Sequence, residues 1–421
     1  MSRSVAAFAA ASLALSSMAA ACSDDASTPP TSAVDGGASS SSSSSSSSGG
    51  SSSGGADGGA RPTCHAAPIA DDAPRTIVIS HPFGASGAKD NRYERLELGP
   101  NGAITRPDVV FSMGRNFAGD IVFTPDGKLG LSAQEDGTIG VFRVESDGKV
   151  TVVDRGFKGT GYVERILMAP DGASVLVLDM NTKENGGGLY EVMIGCDGKL
   201  EDRGLVVAGG SPTAAAWLGA GKALVSARAI GASPDTDELH VVDVASGARL
   251  GGGPAFGDKE AINASVAVSG DGKIALVADN GILVGSRVAV VSVAGSAVAK
   301  KSLLAVKNPV SVAFSPFGNA GVVVGSDGED DYFRVKVDTA ATTPVVLDAA
   351  PIAYKNGKPQ LPGAAHVIDR GPLKGRVVIA EVSGIRQLTF TAAGALEDTS
   401  AFEVSKGNDI PGSVGTLGIV R

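Results

Sequence analysis

Short apolar runs recur along the chain, each broken by a small or Gly-containing turn. The cleanest copy, Ser265 to Val293, reads S-V-A-V-S-G-D-G-K-I-A-L-V-A-D-N, then a loop, then S-R-V-A-V-V-S-V. That is a strand, a tight turn, a second strand, a loop and a third strand. The first turn recurs as Pro125-Asp126-Gly127, Pro170-Asp171-Gly172, Gly219-Ala220-Gly221, Gly270-Asp271-Gly272, Pro316-Phe317-Gly318 and, in degenerate form, Asp369-Arg370-Gly371. Successive turn glycines stand 45, 49, 51, 46 and 53 residues apart, a period that belongs to repeated β units. Asp-Gly and its relatives supply the positive φ that tight hairpins need.

A third strand is expected in each copy, over Ile139–Val144, Leu189–Ile194, Leu239–Val244, Val288–Val293, Phe333–Val337 and Arg386–Phe390. A second set of turns, clearest at Ser146-Asp147-Gly148 and Cys196-Asp197-Gly198, leads to a fourth. Four antiparallel strands per unit are the pattern of propeller blades. Arg75 to Met113 reads as strands two to four with no first strand, and Ile410 to Arg421 as a first strand with nothing after it. The C-terminal strand is therefore expected to complete the N-terminal blade and close the ring, which removes both sheet edges. Six complete copies and one split copy make an all-β, seven-bladed β-propeller.

The repeat supplies a register for candidate chemistry. Six and four residues before each turn Gly stand mostly large apolar residues, such as Ile121, Phe123, Ile166 and Met168, expected to pack between blades. Seven and five before it stand small residues such as Ser265, Ala267, Ser311 and Ala313, expected by alternation to face the tunnel. Asp120, Arg165 and His366 are the exceptions there. The ends of the second strands form another ring: His81, Gln134, Asp179, Arg228, Asp279, Gly325 and Glu381. A polar rim of this kind suits a sugar-like or carboxylate ligand, with Arg165 or Arg228 pairing an anion and His81, His366 or Glu381 as a candidate general base. The alternative is structural: Asp179 and Asp279 cap their own loops, and Asp120 pairs Arg165 on the neighbouring blade. The loops at 235–238 and 327–331 are read as solvated acidic loops without calcium-loop spacing. Gly251-Gly252-Gly253 is read as a blade connection and Trp217 as a blade-packing residue.

Composition narrows the partners. A net charge of -9 with no basic stripe argues against nucleic acid. Four His and no G-x-S-x-G leave little room for a serine triad. No Cys/His set has metal-ligand spacing, and no cofactor is expected. Residues 1–21 read as an export signal, with Arg3 before an Ala-rich apolar run. Ala19-Ala20-Ala21-Cys22 resembles the lipobox of bacterial lipoproteins, which implies lipidation of Cys22; the alternative is ordinary signal-peptidase cleavage. Residues 22–61, with their Ser run, are expected to be a flexible linker, and roughly 40 such residues span about 35 Å. The propeller is then residues 62–421, held at the outer membrane or cell surface, or else periplasmic or secreted, and expected to be a monomer. Cys64 and Cys196 remain as a candidate disulfide or as two separate thiols.

From about Ile77 to Val420 the chain resembles the seven-bladed lactonase-like propellers, the group that includes 6-phosphogluconolactonase-type and YVTN-repeat proteins. Gly137 to Val150, G-T-I-G-V-F-R-V-E-S-D-G-K-V, is especially similar to their third-strand, turn, fourth-strand rhythm. The resemblance implies the fold and, as one reading, a lactone hydrolase. His81-Pro82-Phe83 keeps only the first half of the His-Pro-His cluster of the phosphogluconolactonase branch. The other reading is a cell-envelope binding or scaffold protein with a glycan, lactone or envelope-protein ligand.

Overall fold

The computed structural model describes residues 61–81, 92–113, 118–134, 136–159, 163–180, 187–219, 221–227, 236–257, 263–279, 287–326, 330–404 and 414–421. The expected export signal, the lipidation site Cys22 and nearly all of the 22–61 linker lie outside the described residues. Those described form seven four-stranded antiparallel sheets, the blades of one ring, with only a short 3-10 turn at Gly371–Leu373 beside them. Blade 1 joins Arg75–His81, Arg92–Leu98 and Ile104–Ser112 to an inner strand, Leu417–Ile419, from the other end of the chain. Blades 2 to 7 occupy 118–154, 163–208, 214–253, 263–304, 311–347 and 365–403 in order. The third strands stand at Ile139–Val144, Gly188–Ile194, Leu239–Asp243, Arg287–Ala294, Tyr332–Val337 and Gly384–Phe390, within two residues of the sequence expectation.

The turns explain why the repeat is so visible. Asp126 Oδ1 accepts the Lys128 N–H at 3.1 Å and the Thr124 hydroxyl at 2.7 Å. Asp271 repeats this with Lys273 and Ser269 at the same two distances. Each side chain replaces a missing backbone partner and locks the turn. Gly127 and Gly272, at φ 68° and 73°, occupy the left-handed region that side chains disfavour.

One expectation is corrected. Alternation along the inner strands does not separate a tunnel face from a packing face; it separates the two neighbouring blades. Ile121 and Phe123 pack against Val78, Tyr93 and Val420 of blade 1, while Val122 packs against Ile166, Val175 and Val192 of blade 3. Likewise Val266 and Val268 face blade 4, and Ala267 faces blade 6. The blades stand edge-on to the axis, so both faces of each sheet are buried between neighbours and a strand's edge lines the tunnel.

The residue seven before the turn Gly has a further role. Asp120 Oδ2 accepts the Ile166 N–H at 3.3 Å, Ser265 Oγ accepts the Val312 N–H at 3.3 Å, and Ser311 Oγ accepts the Ala365 N–H at 3.0 Å. In each case a side chain latches one inner strand to the next. Small hydroxyls therefore recur here because they bridge adjacent backbones, not only because the axis is crowded.

Two other readings change. In the two acidic loops Asp237, Glu238 and Asp331 are buried rather than solvated, while 235 and 327–329 lie outside the described residues. Glu238 accepts the backbone N–H groups of Ala255, Phe256 and Gly257, and Asp237 pairs with Arg249. Gly251, Gly252 and Gly253 are the end of the outer strand Ala248–Gly253 rather than a connection. A Cβ on Gly251 or Gly253 would lie 2.4 Å or 2.0 Å from a carbonyl of blade 5, at Ser296 and Val298. Only glycine allows that approach. Trp217 packs between blades 3 and 4, and its indole donates to the Met168 carbonyl at 2.8 Å.

A strap formed by residues 61–74 runs beneath the first turns of the blades. Arg61 pairs with Glu191 at 2.6 Å, His65 Nδ1 meets Asp126 at 3.0 Å, and Ile69 N–H donates to Pro125. Cys64 and Cys196 form a disulfide with Cα atoms 5.7 Å apart, 132 residues apart in sequence. Closing so long a loop constrains the unfolded chain strongly, so C64S/C196S is predicted to lose about 2–4 kcal/mol. The urea midpoint of the oxidised protein and the double variant measures this. An unchanged midpoint would mean that the polar contacts of Arg61 and His65 hold the strap unaided.

Candidate functional site

The ring at the second-strand ends is present, but its described polar members are engaged with adjacent strands or blades. His81 is fully buried, with Nε2 3.0 Å from Glu94, whose other contact is Arg106. Burial opposes the charge of Glu94, yet the hydrogen bonds from His81 and Arg106 outweigh it and hold the carboxyl below its ordinary pKa. Gln134 Nε2 donates to the Tyr93 hydroxyl of blade 1 at 2.8 Å. Asp279 pairs with Arg287 at 3.3 Å, and that guanidinium lies 4.3 Å from the centre of the Phe256 ring. Asp179 is buried against Gly159, where a Cβ would fall 2.8 Å from its Oδ2. Glu381 accepts from Arg386 at 3.0 Å and from the Tyr332 hydroxyl at 2.6 Å. Arg228 lies outside the described residues. Among the described residues no group of three His, Cys, Asp or Glu is placed to hold a metal.

These pairings run sideways, from a strand end to the adjacent strand or blade. His81 and Glu94 are 13 residues apart, Asp279 and Arg287 are 8 apart, and Glu381 and Arg386 are 5 apart. In these three blades the signal was present in the sequence as an opposite-charge or acceptor residue near the start of the facing third strand, one hairpin away. With both partners buried in the His81–Glu94 and Glu381–Arg386 pairs, these serve as cross-strand fasteners, and a catalytic part for His81 or Glu381 would first require breaking them.

The three polar exceptions on the inner strands differ. Asp120, Arg165 and His366, from blades 2, 3 and 7, are brought to one side of the axis, and Arg421 joins them from blade 1. Arg165 Nη1 pairs with Asp120 at 2.9 Å, the neighbouring-blade pair that the structural alternative anticipates. His366, five before its turn Gly, faces Leu417 of blade 1, whose backbone favours the charged ring. Its Nε2 is buried with no hydrogen-bond partner. Burial, then the neighbouring Arg421 and Arg165 guanidiniums, push its pKa to about 3, so the imidazole is neutral at physiological pH.

Arg421 was not among the sequence candidates, because no repeat position corresponds to it. It follows the closing strand, and its backbone carbonyl accepts from Arg75 at 3.2 Å and from Arg370 at 2.8 Å. Its guanidinium makes no hydrogen bond among the described residues, and the residue as a whole is exposed. Burial by the surrounding blades lowers its pKa, against the pull of Asp369 and Asp120. A group enclosed by protein yet reached by solvent is what a tunnel wall provides. Chemically, this wall can hold an anion or accept one hydrogen bond; a base as weak as His366 is poorly matched to taking a proton from water near neutrality.

No family model and no curated protein matches the sequence. Among solved structures, the fold is shared with the periplasmic gluconolactonase PpgL of Pseudomonas aeruginosa, at 12% identity over 83% of this chain and 99% of that one, TM-score 0.58. A Bacteroides fragilis protein assigned as a 6-phosphogluconolactonase gives 14% identity over 84% and 100%, TM-score 0.55. Sqt1 of Chaetomium thermophilum, solved with the N-terminus of ribosomal protein L10, gives 16% identity over 77% and 84%, TM-score 0.51. At such identities the likeness shows the propeller fold, which carries both named lactonases and a named protein-binding complex.

Proposed function

We propose that this protein is an exported, lipid-anchored propeller that binds a ligand in the cell envelope at its central tunnel, without turning it over. The observation that supports this most is the commitment of the catalytic candidates. His81 and Glu381 are buried in ion-paired networks that hold strands together. His366, the remaining candidate, is held neutral and weakly basic. The Ala19-Ala20-Ala21-Cys22 sequence and the Ser-rich linker support a tethered head, and an envelope glycan or protein suits that position.

Hydrolysis of a lactone is the second reading, favoured by the gluconolactonase among the structural neighbours. A panel of sugar-derived lactones, assayed by pH-stat with the wild type and His366→Gln, separates the two. No turnover above the spontaneous rate is expected. Turnover that His366→Gln abolishes, with an unchanged melting temperature, would replace the binding reading with the hydrolase. His81 is left intact in this test, because removing it would unpair Glu94 and confound activity with folding.

A further inference from the structure

The tunnel wall between blades 7 and 3 gathers four guanidiniums, Arg75, Arg165, Arg370 and Arg421, around three carboxylates, Asp71, Asp120 and Asp369. Arg165 already engages Asp120, and Asp120 also latches Ile166. Arg75 and Arg370 are turned to the Arg421 carbonyl. What remains is the side chain of Arg421, an exposed residue unbonded among the described residues, near the unpartnered Nε2 of His366; the Nε of Arg75 is likewise without a partner. Such a concentration is unexpected in a chain with net charge -9. A buried polar atom without a partner costs free energy unless something supplies the hydrogen bond.

We propose that this wall, on the strap side of the tunnel, is an oxyanion site in which Arg421, backed by Arg165, binds the anion and His366 Nε2 takes up a proton to donate to it. The proposal deepens the binding reading and rests on it. The physical chain is short. The groups facing His366 are Arg421 of the closing strand, Arg165 of blade 3 and the Leu417 carbonyl; Asp120 and Asp369 act on Arg421 in turn. Two guanidiniums and burial keep the ring neutral while the site is empty of charge. An anion between them offsets the guanidiniums and favours the imidazolium, whose Nε2–H then bonds the ligand. Anion binding and protonation at one ring nitrogen are therefore coupled, each strengthening the other. A carboxylate and a mineral oxyanion share this chemistry.

The chain has four His, so protein labelled with 15N only in histidine gives four imidazoles to follow by NMR. Sodium sulfate and sodium acetate are titrated at pH 5.5, with sodium chloride at matched ionic strength as the control. Sulfate does not change its own protonation there, so any proton gained belongs to the protein. One imidazole, removed by His366→Gln, is expected to move saturably from the neutral toward the doubly protonated 15N pattern. Which salt acts at lower concentration tells a mineral oxyanion from a carboxylate. Arg421→Gln should weaken the effect roughly tenfold or more, the loss of one charge-assisted contact, while Arg421→Lys retains part of it. Absence of a saturable His366 shift with both salts overturns the site, as does an Arg421→Gln variant that binds like the wild type. Either result leaves the non-catalytic reading standing, whereas lactone turnover would overturn that reading without affecting this titration.

Discussion

Removal of residues 417–421 is expected to collapse the ring rather than trim it. Leu417, Ile419 and Val420 are almost fully buried, packed against blades 1, 2 and 7. At about 2 kcal/mol each, their lost burial comes to roughly 6 kcal/mol, the size of a whole domain's stability at its lower end. The cut also frees the edge of Arg75–His81, which pairs with Leu417–Ile419, and an unpaired edge invites association. The truncated chain should lose its cooperative thermal transition by circular dichroism and elute as aggregate on gel filtration. A truncation that melts within a few degrees of the full chain would show that the strap and disulfide close the ring unaided. Gly418→Val tests the same joint locally, because a Cβ there would sit 2.5 Å from both the Ile121 carbonyl and its side chain. The clash is with backbone, which has nowhere to move.

Arg386→Met is expected to be the most damaging single change in a charged residue. The guanidinium is buried and meets Glu381 at 3.0 Å, Asp398 at 3.1 Å, and the carbonyls of Asn356 and Lys358 at 3.1 and 3.3 Å. Burial alone would lower its pKa, but the two carboxylates outweigh that and raise it. Glu381 also takes the Tyr332 hydroxyl of blade 6, so the arginine fastens two blades and the connection between them. Methionine would leave two buried carboxylates without a cation, at a cost of about 3–5 kcal/mol. Urea unfolding measures it. Adding Glu381→Gln should recover part of the loss by removing one of the stranded charges. A single variant indistinguishable from the wild type would mean that the carboxylates find other partners or protons.

Much of the architecture was legible because it is written locally. Asp126-Gly127 and Asp271-Gly272 lock their turns through bonds that reach two residues along the chain. The apolar runs between them are strands by composition and length. The split blade was legible for the same reason, since each terminal piece shows an incomplete unit. The site was much less legible. The register found Asp120, Arg165 and His366 as departures from the repeat, and the structure does bring them to one side of the axis. It could not tell which polar residues were spent. His81, Asp279 and Glu381 looked as available as His366 until their partners on adjacent strands were seen.

The sequence by itself therefore determined the number of blades, the content of each and the closure by the C-terminal strand, because hairpin turns and strand periodicity act over a few residues. Only the tertiary structure decided which face of an inner strand meets which neighbour. It alone also decided which polar groups are consumed by latches and buried pairs. Arg421 stands beside His366 because blade 1 lies next to blade 7 in the closed ring, not because of any spacing along the chain. Charge and desolvation act through space, so the unsatisfied His366 nitrogen in that wall has its meaning only once the ring is shut.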